Sequence, residues 1–332
     1  MSQRYLLLVF VSIVISILPA PVLGAEKSII IGEAVRGVMY APVYIAEEKG
    51  YFKKRSFDSK IVTFSGGNNI NALVAGDIQF AALSPDSVIR GSLAGYKAKM
   101  IMGMVRGLNL ALAVQPEIKS AGDLKGKSIG ISDFSGLPYT ALLLSLKELG
   151  LKKEDVTYLK TGGKSLRYQA LLAKRVHGVI LDPPYTTMAQ KEGFRLIVDL
   201  TRLDVPYLRT VIAVSEKNLH QDAGTVTRFV EAVSEGIQFY REKANREESI
   251  RILGKYLRVP LDKGRAMLEE GYETYREMTL KKPYPDANGL QIVLETIAEA
   301  NPKAKNVHPG QFIDGSFVER LDREGFFERK GF

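Results

Sequence analysis

Residues 29–52, IIIGEAVRGVMYAPVYIAEEKGYF, constrain the fold more than any other stretch of this chain. Ile29, Ile30 and Ile31 make a β-branched apolar run, the composition of a buried strand. A loop containing Gly32 and Gly37 follows. Ala41-Pro42 then opens a helix, because a proline in the first turn forfeits no helical hydrogen bond. Gly50, after Glu47, Glu48 and Lys49, ends it as a left-handed C′ residue. The unit is strand, loop, helix. Its loop lies at the carboxyl end of a strand, where open α/β sheets bind their ligands.

The same alternation continues. Residues 60–64 read as a strand, Ile70, Leu73 and Val74 as a helix face closed by Gly76, and Ile78, Phe80 and Ala82 as the next strand. Pro85 opens a helix to Leu93, and 99–105 is a strand again. After Leu110 come a capped turn at 120–127, a strand at 128–131 and a helix at 139–149 stopped by Gly150. Segments 156–160, 165–174, 179–181 and 184–191 repeat the pattern, which predicts a largely parallel sheet with helices on both faces. The two halves echo each other. Gly66-Gly67, Leu73 and Pro85 recur as Gly162-Gly163, Leu171 and Pro183, with the same spacing from leucine to proline. From Asp222 the pattern is helical, with Phe229, Val230, Val233, Ile237 and Tyr240 on one stripe. These tail helices are expected to pack on the first lobe and brace the hinge.

At 332 residues the chain is long enough for two lobes, and 45% hydrophobic with 25% charged residues is globular composition. Arg4, the apolar run 5–18 and small residues near Gly24-Ala25 read as a secretory signal over residues 1–24, because the run is too short to span a bilayer comfortably. The chain has no cysteine, which excludes lipid attachment, disulfides, thiolate metal sites and a cysteine nucleophile. Its three histidines, His177, His220 and His308, lack metal-ligand spacing, so neither metal nor cofactor is expected. Without residues 1–24 the net charge is +8, which suits an anionic solute or surface and equally serves solubility. The basic residues are dispersed, and 53–55 is the longest run, so no nucleic-acid footprint is present.

The opening APVYIAEEKGYFKK, then FSGGNNINALVAGDIQFAALSPDS, IKSAGDLKGKSIGIS and VILDPPY, resemble in order and spacing the nitrate/sulfonate/taurine (NMT1/THI5-like) periplasmic substrate-binding proteins of ABC importers. The resemblance covers nearly all of the chain after residue 26. It implies a type II periplasmic-binding-protein fold: two Rossmann-like α/β lobes, a two-segment hinge and a C-terminal helical extension. The expected divisions are 25–109 for the first part of lobe 1, 110–209 for lobe 2, and 210–332 for the return to lobe 1 and the tail. The implied role is a monomeric, periplasmic, non-enzymatic receptor that closes on a small-molecule solute. It would dock on an inner-membrane permease with its ATPase. A sulfonate-, nitrate- or taurine-like anion is the expected solute, with a pyrimidine or aromatic acid as the alternative. A same-fold lyase or desulfinase, or a sensor domain, is a further rival. The pyrimidine-binding branch carries a cysteine-rich motif that this chain lacks. Gln79 and His177 stand where the family often has Asp before the third strand of each lobe, and Lys174 where Gly is usual.

The candidate site is the set of strand-end loops, several of which lead into helices whose free N–H groups suit an anion. The candidates are Arg36, Gly37 and Tyr40; Ser65, Gly66 and Gly67; Ser84 and Asp86; Arg106; Ser132, Phe134, Ser135 and Gly136; and Asp182 and Tyr185. Arg36 and Arg106 offer a bidentate fork to sulfonate, carboxylate or phosphate. Tyr40, Phe134, Tyr139 and Tyr185 offer stacking or lobe packing. Asp86 and Asp182 can accept from an amine or cap a helix.

Overall fold

The computed structural model describes residues 26–64, 68–134, 136–203 and 206–332. The expected signal segment lies outside them, as do Ser65, Gly66, Gly67 and Ser135. The first run is β1 (Lys27–Glu33), α1 (Ala41–Glu48), β2 (Phe57–Thr63), α2 (Asn69–Ala75), β3 (Phe80–Leu83), α3 (Pro85–Leu93) and β4 (Ala98–Arg106). The second is β5 (Ala111–Val114), α4 (Ala121–Leu124), β6 (Ser128–Ile131), α5 (Gly136–Glu148), β7 (Thr157–Lys160), α6 (Lys164–Leu172), β8 (Gly178–Leu181), α7 (Tyr185–Lys191) and β9 (Arg195–Asp199). The chain returns through β10 (Leu208–Ser215). The tail is α8 (Glu216–Gln221), α9 (Ala223–Arg241), α10 (Arg246–Leu257), α11 (Leu261–Met278), α12 (Gln291–Ala300), α13 (Ser316–Arg323) and α14 (Phe326–Arg329).

Two five-stranded sheets result, ordered β2-β1-β3-β10-β4 and β7-β6-β8-β5-β9. Each keeps a parallel trio, but β10 runs antiparallel to β3 and β4, and β5 runs antiparallel to β8 and β9. The sheets are therefore mixed, not largely parallel. The reason is the route. Each antiparallel strand enters its sheet from the other lobe at the carboxyl edge and must run back.

The echo between lobes extends to single atoms. Gln79 accepts from the Ile30 amide at 2.8 Å, and His177 Nδ1 faces the Ser128 amide at 3.3 Å, each just before its third strand. Both therefore tie strand beginnings together, at the sheet edge opposite the candidate loops.

One face of the first sheet packs on α1 and α9 through Ile29, Ile31, Tyr44, Phe80 and Phe229. Along α1 every residue from Ala41 to Ala46 is buried. Gly236 of α9 lies so close that a Cβ there would overlap the Pro42 carbonyl oxygen. The opposite face packs on α2, α3 and α12, and that core runs on through Leu108, Leu110 and Leu112 into the second lobe. Helix α12 touches both α3 and α5. The outer edge of β4 is covered by the tail: Leu280 donates its amide to Met104 at 2.9 Å and Asp314 to Met100 at 2.9 Å. A covered edge cannot recruit another strand.

Candidate functional site

The strand register fixes where the lobes meet. Arg106 ends β4 and pairs with Leu208, which begins β10. Ala111, which begins β5, pairs with the last residues of β8 and β9, Leu181 and Asp199. The two crossings therefore join the carboxyl edge of one sheet to the carboxyl edge of the other. They run side by side, with Gly107 N–H donating to Tyr207 O at 2.7 Å and Leu200 N–H to Leu110 O at 2.9 Å. Gly107 has φ +87°, a backbone that favours glycine.

On the first-lobe side a polar cluster sits behind the β1 and β2 ends. Glu33, the last residue of β1, is buried. It accepts from the Tyr44 hydroxyl and from Thr63 Oγ1, the latter at 2.6 Å. Arg36 is exposed and its Nε donates to Thr63 Oγ1 at 3.3 Å, which places it on the rim. Gly37 donates its amide to the Tyr44 hydroxyl at 3.4 Å. Tyr40 is buried, and its phenol is pushed well above its usual range by burial and then by Glu33, with Arg209 acting in the opposite sense.

Arg209, the second residue of β10, is only 7% exposed. Its guanidinium donates to Asn109 Oδ1 on one crossing and to Tyr275 Oη on α11, the latter at 2.9 Å, and lies 5.4 Å from the Tyr275 ring centre. Two residues before it, Tyr207 is buried, and burial and then the charge of Asp86 push its phenol well above its usual range. Asp86 pairs with Arg90 one turn along α3 at 3.0 Å, and Ser84 Oγ lies 3.2 Å from Ser87 Oγ. Arg106 is exposed at the end of its strand.

On the second-lobe side Asp182 is 8% exposed and takes a 2.8 Å hydrogen bond from Lys164 Nζ. It does not cap α7, whose cap position is Pro184. Arg167 is buried, donating to the Ile180 and Gly162 carbonyls; burial lowers its pKa, opposed by the charges of Asp182 and Asp133. Phe134 is 48% exposed and packs edge-on against Tyr139 and Tyr158, each at 5.5 Å, while Tyr185 lies 5.3 Å from Tyr168. Those rings are engaged with one another. Gly136 opens α5 at φ +68°, and Ser132 is half-buried just after β6. Side-chain hydrogen bonds tie the second lobe to the tail helices: Thr187 Oγ1 of α7 donates to Glu270 Oε1 of α11 at 2.9 Å, and Lys153 Nζ to Glu299 Oε2 of α12 at 3.1 Å.

The expected residues thus form a first-lobe group around Arg36, Gly37 and Tyr40 and a second-lobe group around Asp182. Sequence reasoning missed Glu33, Asn109, Lys164, Arg209 and Tyr275. The available signal for Arg209 was a lone charge opening the apolar run 207–214, which is costly in a buried strand unless the charge is engaged. Among the described residues no His/Cys/Asp/Glu cluster suits a metal ion, and no helix is long and apolar enough to cross a membrane.

Two mixed α/β lobes meeting at their strand carboxyl edges across a double crossing define the fold of the two-lobed periplasmic binding proteins. The aliphatic sulphonate binding protein SsuA of Escherichia coli superposes with TM-score 0.69 at 21% identity, covering 89% of this chain and 100% of that one. The nitrate-binding protein NrtA of Synechocystis PCC 6803 gives TM-score 0.69 at 13% identity, covering 91% and 89%. Residues 38–246 match the family NMT1/THI5 like, and the chain belongs to that family. Its relatives include a binding protein of Brucella abortus, 29% identical over 65% of this chain and 67% of the relative. The riboflavin-binding protein RibY of Chloroflexus aurantiacus is 26% identical over 61% and 59%. An ABC transporter periplasmic binding protein of Brachyspira hyodysenteriae is 26% identical over 55% and 57%. The family is thus one of periplasmic ABC-type binding proteins.

Proposed function

We propose that this chain is a solute receptor that closes its lobes on a small anionic organic molecule and presents it to a membrane permease driven by an ATPase. The observation that carries the reading is the register of the crossings, which turns two polar strand edges toward each other over a two-strand hinge. Closure is favoured because a bound solute contacts both edges only in the closed form. Buried cations on both sides, Arg209 and Arg167, favour an anion. No bond is made or broken. The riboflavin-binding relative supports an aromatic solute as the second reading.

The test is a thermal-shift screen of protein that has been unfolded and refolded to strip carried solute. The panel holds sulfonates, nitrate, taurine, carboxylates, aromatic acids, riboflavin and pyrimidines. A ligand at about a hundred times its dissociation constant adds about 2.7 kcal/mol of stability. Small-angle scattering should show compaction with the same ligand. A protein that neither shifts nor compacts with any class is not a receptor of this kind.

A further inference from the structure

We infer that Arg209, not Arg36 or Arg106, receives the anionic group of the solute, and that this group is a compact carboxylate or sulfonate lodged against the hinge. This rests on the receptor reading above and names the chemistry of its site. A buried guanidinium is costly unless an anion or a full set of acceptors compensates it. Arg209 has two neutral acceptors, Asn109 Oδ1 and Tyr275 Oη, and no carboxylate of the described residues forms an ion pair with it. Compare Arg55, which is half-buried and pairs with Glu231 at 2.9 Å and Glu235 at 3.1 Å. The nearby acid, Glu33, already accepts from Tyr44 and Thr63.

Position gives this charge its use. Arg209 is the second residue of the strand that returns from the second lobe, and it is fixed to Asn109 of the other crossing. It therefore sits where the lobes join, and it is buried there whereas Arg36 is exposed. The two existing hydrogen bonds orient the planar fork and leave its remaining N–H groups to a two-oxygen acid, the geometry for which a guanidinium is better suited than an ammonium.

The experiment titrates refolded protein calorimetrically with propionate, benzoate and ethanesulfonate, and with propionamide and benzamide as neutral counterparts. Wild-type protein should bind at least one acid and neither amide. Arg209→Met should weaken that acid by about thirtyfold or more, as expected when a buried charge partner is removed. Arg209→Lys should retain charge yet lose about tenfold. Arg36→Ala and Arg106→Ala should stay within about threefold, a rim-charge effect. Retention of acid binding by Arg209→Met, or equal binding of acid and amide, overturns the assignment while leaving the receptor standing. Binding and compaction with neutral solutes alone does the same. Absence of any binding or compaction overturns both. Should the Arg209 variants fail to fold, wild-type crystals soaked in bromide decide: an ordered ion on the Arg209 guanidinium supports the assignment, and cleft bromide elsewhere refutes it.

Discussion

Replacing Gly236 by alanine sets two physical effects against each other, and the structure decides their sum. In an isolated helix the change should help, because alanine exceeds glycine in helix propensity by about 1 kcal/mol. Here α9 crosses α1 at Gly236, and an added Cβ would overlap the Pro42 carbonyl oxygen while lying 3.0 Å from the Pro42 carbonyl carbon and 3.3 Å from the Ala46 amide nitrogen. All three obstacles are backbone, so no rotamer change relieves them; the helices must separate, opening the core around Phe229 and Ile45. Overpacking of this kind costs about 1–3 kcal/mol, and backbone obstacles push it to the upper end. The expected net loss is about 2 kcal/mol, a melting decrease of about 3 °C for a chain of this size. Differential scanning calorimetry of the ligand-free protein reads it. Gly224→Ala in the same helix is the control, since nothing lies within 4 Å of a Cβ there. If Gly236→Ala melts at or above wild type, or if Gly224→Ala falls as far, the close-approach argument is wrong.

Lys174 ends α6 at φ 56°, a left-handed conformation unfavourable to a side chain, so Lys174→Gly should raise stability by about 0.5–1 kcal/mol in urea denaturation, and Lys174→Ala should not. Thr187→Val removes the hydroxyl that reaches Glu270 across the lobes; about 1 kcal/mol of closure energy, or about fivefold in solute affinity, should go with it, and scattering of the free protein should show a larger radius. Burial raises the Glu235 carboxyl, but hydrogen bonds and charge from Arg55 and Lys330 outweigh it and hold the group below its usual range. A depressed carboxylate stabilises the fold above its unfolded pKa and loses that contribution as pH falls through its folded value. Glu235→Gln should therefore cost about 1–2 kcal/mol at pH 7 and progressively less on acidification, and a gap that widens toward low pH would contradict the sign.

What could be read beforehand was mostly local. Pro42 and Gly50 bracket α1 by rules that operate within a few residues, and both positions hold, with Gly50 at φ +67°. The echo of Leu73 and Leu171 needs only spacing, and both side chains are fully buried. Strand direction is another matter. Hydrophobic pattern identifies a buried run such as 208–215 but carries nothing about which neighbours it joins or which way it points, so the antiparallel placement of β10 went unread. Short β5 and β9 were missed because three or four apolar residues beside a loop are not distinctive. Arg36 and Arg106 were legible as loop arginines, and both proved exposed. Arg209 was not legible, because its partners Asn109 and Tyr275 lie 100 and 66 residues away in the chain.

The placement of β10 between β3 and β4 also orders events in time. The second sheet is built wholly from the continuous stretch 111–199, so it can be completed as soon as that stretch is available. The first sheet cannot. Until residues 208–215 arrive, β4 has no strand beside it, and its outer edge waits longer still for residues 279–314. For a chain delivered from its amino end, the lobe that begins first is the one that finishes last, with its unpaired strand exposed to helper proteins and to premature pairing throughout the interval.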